Sequence, residues 1–325
     1  MHPTYQKTLS RVADFLSKND DFLLIAHDHP DGDTIGSALA LYLFLSKMAK
    51  KVFLVCASPV PEAFGFLSGR LSFQQDFLFG DYQSVVLVDN GDLKRTGFSD
   101  RLKKYRRQKK TIINIDHHPQ NDIWKLANLN LVSHQVSSTA EIVYELLTRL
   151  NKSLIDPDIA TALLVGLYTD TGGFQHPTTD RQCLLVAAKL LSLGAKLKLI
   201  SENLSGRRSF AMLKLWGIAL KNIKTNKELG IMTSVITQKN IIAAGAAEDD
   251  LAGVVNMMSA TPEAGIAMLM YETSDGNIRG SLRTDSDKHD VSILASCLGG
   301  GGHKRASGFS IKGRLVVKDG GVEIE

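Results

Sequence analysis

Four clusters of aspartate and histidine dominate this sequence, and each follows an apolar run. They are His27-Asp28-His29-Pro30-Asp31-Gly32-Asp33, Asp89-Asn90-Gly91-Asp92, Asp116-His117-His118 and Thr169-Asp170-Thr171-Gly172-Gly173-Phe174. Carboxylates gathered at one place repel each other unless divalent cations lie among them. These residue types therefore predict a site that binds two metal ions and acts on phosphoesters.

The clusters contain a mixture of carboxylate and imidazole groups that suits such ions. Oxygen ligands are typical of Mg²⁺ and Mn²⁺, and imidazole shifts the preference toward transition metals. The candidate ligands are His27, Asp31, Asp33, Asp89, His117 and Asp170. Two ions roughly 3.5 to 4 Å apart can share a hydroxide and direct it at phosphorus. Asp89 is the candidate bridge between them.

The elements that must position these residues alternate between short apolar runs and helical patterns. The predicted strands are Phe22–Ala26, Val52–Cys56, Ser84–Val88 and Ile112–Ile115, and the predicted helices include Thr34–Met48 and Thr139–Leu150. This alternation predicts an α/β fold with a parallel sheet and helices on both faces. Because ligands bind beyond the carboxyl ends of such strands, the first three clusters should converge. Asp170 follows Ala160–Tyr168, which we interpret as a buried helix.

With 325 residues, the chain is long enough for two domains. We predict a metal-binding domain at 1–194, a linker at 195–211 and a smaller α/β domain with a mixed sheet at 212–325. The second domain has strand-like runs at Ile231–Ile236, Ala264–Tyr271 and Ile278–Arg283. We expect the active site in the cleft between the domains.

Composition excludes several classes of protein. Hydrophobic content of 44% and charged content of 22% are typical of a globular protein. The net charge of +4 is too small for a long nucleic-acid footprint, so a short substrate fits better. Cys56, Cys183 and Cys297 lie far apart without metal-site spacing, which favours a reducing cytoplasm. The longest apolar stretch, Ala38–Leu45, is too short to cross a bilayer, so we expect no membrane anchor.

Any one of the clusters could be a solvated turn, but their combination resembles a known family. Asp116-His117-His118 is the signature of the DHH phosphoesterase superfamily, and HDHPDGDTIGS, VDNGDLKRTG and TDTGGF resemble its other motifs in order. The segment SLRTDSDKHDVSILASCLGGGGHKRASGF resembles the DHH-associated C-terminal domain. Asn90 departs from the family pattern, where a small residue is commoner, and affects no candidate ligand.

The resemblance implies a role for each residue of the clusters. One ion would be bound by His27, Asp31 and Asp89, and the other by Asp33, Asp89, His117 and Asp170. His118 would face the substrate phosphate as a catalytic group, with Asp116 orienting it. The cofactors implied are two divalent ions, Mn²⁺ in preference to Mg²⁺. Asp92 and Arg95 match a family pattern that supports the site without ligating a metal.

Four glycines near the C-terminus could form a simple flexible turn, but their neighbours favour substrate binding. A guanidinium suits a pair of phosphate oxygens, and glycines let backbone N–H groups approach an anion. By resemblance, the second domain would hold the far end of a nucleotide, with Arg283 and His303 as its main contacts. The predicted substrate-binding residues are Ser281, Arg283, Gly300, Gly301, Gly302 and His303.

Several functions are compatible with these motifs. RecJ-type exonucleases have further domains and GdpP-type phosphodiesterases have membrane segments, and we expect neither here. Family II pyrophosphatases use a basic signature in place of GGGGH. The chain resembles NrnA-type nanoRNases, which implies hydrolysis of short RNA to 5′-mononucleotides and removal of the 3′-phosphate of 3′-phosphoadenosine 5′-phosphate (pAp). A homodimer is a further expectation from the family.

Two alternatives from other classes remain open at this point. One is a soluble phosphodiesterase for linear or cyclic dinucleotides such as pApA or cyclic di-AMP, which shares the same motifs. The other is a nucleotide-binding regulator without catalysis, which the complete set of candidate ligands disfavours.

Other conspicuous residues fit simpler interpretations. The run Arg101–Lys110 has seven basic residues in ten positions, and a solvated helix face is favoured over an RNA contact. His134, His176 and His289 have no partners at metal-ligand spacing in the sequence.

Overall fold

A computed structural model describes residues 3–68, 72–78, 82–204, 209–318 and 321–325. The chain forms two compact units, Met1–Arg207 and Arg208–Glu325. None of the helices in these ranges combines the length and the apolar character needed to cross a bilayer.

The first unit is built on a sheet of six parallel strands in the order β3-β2-β1-β4-β5-β6. The strands are β1 Asp21–Ala26, β2 Lys51–Val55, β3 Phe73–Gln74, β4 Ser84–Val88, β5 Thr111–Asp116 and β6 Leu129–Val132. The predicted parallel sheet is confirmed. The strand order reverses between β1 and β4, and this is the position where ligands bind in open parallel sheets.

Helices cover both faces of this sheet, as predicted. They are α1 Pro3–Lys18, α2 Gly32–Lys47, α3 Ser99–Arg107, α4 Ile123–Leu126, α5 Thr139–Asn151, α6 Pro157–Asp170, α7 Arg181–Ser192 and α8 Leu197–Leu204. Alternate residues of β1 enter separate cores, with Leu24 in one and Leu23 and Ile25 in the other. Each face of the sheet is therefore sealed by its own apolar layer.

Helices α2 and α6 approach each other closely because two glycines lie at their crossing. A Cβ added at Gly36 would lie 2.3 Å from the carbonyl oxygen of Ala162, and one added at Gly166 would lie 2.5 Å from Asp33 Oδ1. Larger residues would force the helices apart. This contact brings the start of α2 beside the end of α6.

The second unit contains a mixed six-stranded sheet in the order β11-β12-β10-β9-β8-β7, in agreement with the prediction. Only the β8–β9 pair is parallel among the described pairs of this sheet. The strands are β7 Lys224–Asn226, β8 Ile231–Ile236, β9 Ile266–Glu272, β10 Asn277–Arg283, β11 Gly301–His303 and β12 Ala306–Lys312, followed by a hairpin of β13 Leu315–Lys318 and β14 Gly321–Ile324. The helices are α9 Phe210–Lys221, α10 Gln238–Ala244, α11 Val254–Ser259 and α12 Val291–Cys297.

The segment that we predicted as a linker, 195–211, is partly helical. Helix α8 lies within it, and Ile200 of this helix is fully buried in a core of the first unit. Arg207 and Arg208 lie outside the described residues. The predicted domain limits stay a prediction.

Candidate metal centre

The structure brings all six predicted metal ligands to the carboxyl edge of the first sheet. Within the described parts of the chain, three groups of side chains each offer ligand atoms that lie within 4.8 Å of one another. The groups are His27 with Asp31 and Asp89, Asp33 with His117 and Asp170, and Asp89 with His117 and His118. Strands β1, β4 and β5, the start of α2 and the end of α6 contribute them. This convergence is what the strand pattern predicted.

The first group presents two electron-rich atoms to each other. His27 Nδ1 lies 2.8 Å from the carbonyl oxygen of Asp28 and donates to it, so a neutral His27 has its lone pair on Nε2. That atom lies 3.3 Å from Asp31 Oδ2. Arg95 Nη2 approaches the same nitrogen at 3.0 Å. A lone pair facing a carboxylate fits a bound cation, so this donor set suits a divalent ion.

The second group surrounds one imidazole nitrogen with carboxylates. His117 Nε2 lies 3.3 Å from Asp170 Oδ2, 3.8 Å from Asp89 Oδ1 and 4.0 Å from Asp33 Oδ2. Burial and the adjacent charge of His118 lower the pKa of His117 to about 4. The ring is therefore neutral near pH 7 and can offer a lone pair to a cation.

Asp33 is fixed by the first turn of α5. Its Oδ2 accepts a hydrogen bond from the backbone N–H of Thr139 at 2.6 Å, and its Oδ1 accepts from Ala140 N–H and from Ser37 Oγ, each at 3.0 Å. These donors orient the carboxylate without placing a positive side chain beside it. Asp33 is fully buried.

Asp89 belongs to two of the three groups and has an unusual backbone conformation. Its φ of 58° lies in the left-handed region, which is uncommon outside glycine but better tolerated by aspartate than by most residues. Thr34 Oγ1 donates to its Oδ2 at 2.6 Å, and Thr139 Oγ1 donates to its Oδ1 at 2.8 Å. Each oxygen keeps a second lone pair, so one carboxylate can face two cations.

The cluster is electrostatically unfavourable by itself. Burial, followed by the charges of neighbouring carboxylates, raises the pKa of Asp33 and of Asp89 well above the ordinary range. The same causes raise the pKa of Asp170 to about 8, with Asp89 and Asp31 as the neighbouring charges. Cations within the cluster would reverse this effect and keep the carboxylates ionised.

His118 is held by Asp116. Asp116 Oδ1 accepts from His118 Nδ1 at 2.8 Å and from its backbone N–H at 3.0 Å, while Oδ2 accepts from Gly91 N–H at 3.0 Å. The hydrogen bond to Asp116 raises the pKa of His118. Asp116 is fully buried behind the ring and belongs to none of the three groups found among the described residues. The pair leaves His118 Nε2 free to hold a proton.

Sequence reasoning missed several residues of the site. Thr34 lies within the motif HDHPDGDTIGS but was given no role, whereas Thr139 lies in no motif and shows only its position at a helix start. Ser37 is one turn beyond Asp33 on α2. Arg95 was expected to support the site, and its guanidinium lies beside His27. His29, by contrast, is exposed.

The predicted substrate-binding residues of the second unit lie on or directly before strands β10 and β11, which flank β12 in the sheet. Arg283 on β10 and His303 on β11 both pair with Ala306 of β12, and Ser281 and Gly301 both pair with Gly308. Paired residues and residues two apart share a face, so Ser281, Arg283 and His303 are on one face of the sheet. Because only small residues separate them, that face can admit a ligand.

Two of the predicted glycines also have a structural reason to be glycine. A Cβ at Gly300 would lie 2.1 Å from the carbonyl oxygen of Gly308, and one at Gly302, where φ is 140°, would lie 2.6 Å from that of Ala306. Gly301 faces open space. Ser281 and Arg283 also line a cavity of about 520 Å³ together with Asn256 and Tyr271.

Both units match known protein families. Residues 21–167 match the DHH family, N-terminal domain, and residues 223–319 match the DHHA1 domain. The chain is 27% identical to the bifunctional oligoribonuclease and PAP phosphatase NrnA of Mycoplasma genitalium over 96% of this chain and 95% of that protein. It is 29% identical to the protein of the same description from Thermus thermophilus, over 96% and 90%. An exopolyphosphatase-related protein from Bacteroides fragilis has a similar structure, with a TM-score of 0.81, 27% identity and coverage of 94% and 91%.

Proposed function

The chain belongs to the DHH phosphoesterase family and is a hydrolytic enzyme, and we propose that its substrates are short RNA oligonucleotides and pAp. The observation that carries this proposal is the cluster of three ligand groups that meet at Asp89 and His117. The relatives named as oligoribonuclease and PAP phosphatase, which align along nearly the whole chain, support this choice of substrates.

We assign one ion to His27, Asp31 and Asp89 and the other to Asp33, Asp89, His117 and Asp170, with Mn²⁺ preferred to Mg²⁺. The imidazoles in both groups support a transition metal. Bound divalent ions supply positive charge that makes a water molecule more acidic and stabilises the phosphoryl transition state.

The residues of the chain then position the substrate. His118, whose protonated form is favoured by the hydrogen bond to Asp116, donates from Nε2 to a phosphate oxygen and holds that group at the site. The oxygen that leaves from phosphorus is the ribose 3′-oxygen in both RNA and pAp, so one arrangement serves both substrates. Arg95 adds a second positive group next to His27.

The row of residues on the second sheet supports a role in substrate binding. We propose that Arg283 and His303 bind a phosphate of the nucleotide, with Ser281 and the backbone of Gly300, Gly301 and Gly302 as further donors. The formal charge of +4 supports a short substrate over a long nucleic acid.

A substrate panel tests the proposal. The purified protein with Mn²⁺ should cleave dinucleotide RNA and pAp faster than cyclic di-AMP and pyrophosphate, and RNA should yield 5′-mononucleotides. Asp89→Ala provides the blank for contaminating nucleases. Fastest cleavage of cyclic di-AMP would indicate a cyclic-dinucleotide phosphodiesterase. Fastest cleavage of pyrophosphate would contradict the proposed RNA and pAp substrates. Absence of turnover would favour a nucleotide-binding regulator without catalysis.

We also propose that the enzyme acts in the cytoplasm and as a homodimer. The three free cysteines support a reducing compartment. Fractionation of cells and size-exclusion chromatography with light scattering test these two points.

A further inference from the structure

An aromatic pair lies next to His118 and has no part in the ligand groups. His134 is in the loop between β6 and α5, and its Nδ1 donates to the carbonyl oxygen of His118 at 3.1 Å. Its ring lies beside that of Trp124 on α4, with centroids 6.3 Å apart and planes inclined by 32°. The loop follows the carboxyl end of an edge strand, so the pair is on the same edge of the sheet as the metal centre.

The two rings are accessible in different degrees. His134 is exposed, whereas Trp124 is half-buried. The indole Nε1 of Trp124 is buried and has no hydrogen-bond partner within the described ranges. Trp124 can therefore contact a ligand through its ring and not through its buried N–H group.

Hydrogen bonds fix the position of the pair. The carbonyl oxygen of Trp124 accepts from Asn130 Nδ2 at 3.1 Å, and Asn130 Oδ1 accepts from Asn114 Nδ2 at 3.3 Å. Asn114 is on β5, the strand that ends in the Asp-His-His motif. The same strand therefore positions both the aromatic pair and His118.

We infer that Trp124 and His134 form a subsite that stacks the nucleobase of the nucleotide whose phosphate meets His118. This inference rests on the proposed function. Planar aromatic side chains stack on every base, because each base has a π-face, and such contacts tolerate sequence variation. An enzyme that degrades short RNAs of mixed sequence needs affinity of this kind.

A direct binding experiment uses the tryptophan itself as the reporter. The sequence has two tryptophans, so in Trp216→Phe the emission comes from Trp124 alone. Should that variant not fold, the difference between wild type and Trp124→Phe gives the same signal. AMP should quench the emission of Trp124 and ribose 5-phosphate, which lacks a base, should not. Equal effects of the two compounds, or no effect of AMP, would overturn the inference.

Steady-state kinetics separate stacking from mere support of His118. Trp124→Ala and His134→Ala should raise KM for dinucleotide RNA about 5- to 100-fold, with kcat within twofold, and should leave the same dinucleotide without bases unaffected. His134→Phe keeps a ring but loses the bond to the His118 carbonyl, so it should retain the KM of the wild type. Should His134→Phe instead match His134→Ala and lower kcat on both substrates, His134 only positions His118 and the inference fails.

His176 offers a matched control. It is also exposed, and its Nδ1 donates to the carbonyl oxygen of a site residue, Asp170, at 3.0 Å. It forms no ring contact with Trp124 among the described residues, so His176→Ala should change the kinetic constants for the two dinucleotides by the same factor. If the wild type cleaves neither dinucleotide, the proposed function fails, while the AMP titration still decides the stacking subsite.

Discussion

The metal centre of the first unit and the predicted substrate face of the second unit differ in how far their side chains are buried and how firmly these are held. The substrate face is the side of the sheet that carries Ser281, Arg283 and His303. At the metal centre, Asp33 and Asp89 are buried and are held by hydroxyl and backbone donors. On the substrate face, strand β11 with His303 is exposed, and Arg283 is only partly buried. The metal centre keeps destabilising buried carboxylates because catalysis needs them in fixed positions. The second region provides exposed, adaptable contacts for binding. Substitutions in the first should therefore change kcat, and those in the second should change KM.

The largest expected effect is at Asp89. Asp89→Asn should lower kcat by about 10³-fold, because a neutral amide cannot replace a carboxylate shared between cations. The chelated variant should be at least as stable as the chelated wild type, since a buried repelling charge is removed, but Mn²⁺ should no longer raise its Tm. Differential scanning fluorimetry and a Mn²⁺-dependent assay measure both, with Asp14→Asn, at an exposed position on α1, as control. If Asp89→Asn keeps its activity, the expectation that substitutions at the metal centre lower kcat is wrong.

Arg283 tests the expectation that substitutions on the substrate face change KM. Arg283→Ala should raise KM for pAp by about 10- to 100-fold, the value of a charge-assisted hydrogen bond, with little change in kcat. Arg283→Lys should recover part of the affinity, since it restores the charge without the planar fork. A fall in kcat at unchanged KM would place Arg283 in the chemical step.

Thr139 measures how much the fixed geometry contributes. Thr139→Val removes the hydroxyl donor to Asp89 but keeps the shape of the side chain and its backbone N–H bond to Asp33. Affinity for Mn²⁺ should fall by roughly 10- to 100-fold, the usual cost of losing a group that orients a metal ligand. Titration of free Mn²⁺ by electron paramagnetic resonance reports this, and Thr148→Val on the same helix is the control. Unchanged affinity would show that the hydroxyl is dispensable.

The smallest expected effect is a dependence of stability on pH. In chelated protein, the pKa of Asp170 is about 8 when folded and near 3.8 when unfolded, so its contribution to stability is complete below about pH 4 and is lost as the pH rises through 8. Asp33, Asp89 and His118 have raised pKa values and act in the same direction. His117, with a pKa of about 4, acts in the opposite direction, but only as the pH falls below about 6.5.

Between pH 6.5 and 8.5, the Tm of the chelated protein should therefore fall by about 3 °C or more. Asp170→Asn should flatten this slope. Mn²⁺ should raise Tm more at pH 8.5 than at pH 6.5, because fewer protons must be displaced when it binds. A Tm that rises across this range after chelation would contradict the electrostatic account.

The sequence was sufficient to predict the parallel sheet and the meeting of the four clusters. Each of β1, β4 and β5 is a buried apolar run that ends directly before a motif, and the parallel arrangement carries the motifs to one edge. Strand β3 has two residues and β6 has four, and runs of that length show no periodicity to distinguish them from loops.

The supporting donors could not be predicted. The hydrogen bond between Thr139 and Asp89 joins residues 50 positions apart, and neither local pattern nor motif spacing encodes it. The same is true of the aromatic pair, because Trp124 and His134 are brought together by the turn from α4 into β6. Helix α8 occupies part of the segment predicted as a linker. The charged and polar residues of that segment, which include Arg207 and Arg208, gave no sign that Ile200 of this helix is buried.

The glycine crossing of α2 and α6 has a consequence for thermal motion. Asp33 lies in the first turn of one helix and Asp170 ends the other, and Gly36 and Gly166 let the two backbones touch without intervening side chains. Helices locked in this way fluctuate together as one body. The distance between the two carboxylates should therefore stay constant while the surrounding loops move. The metal site would then remain preformed between catalytic cycles.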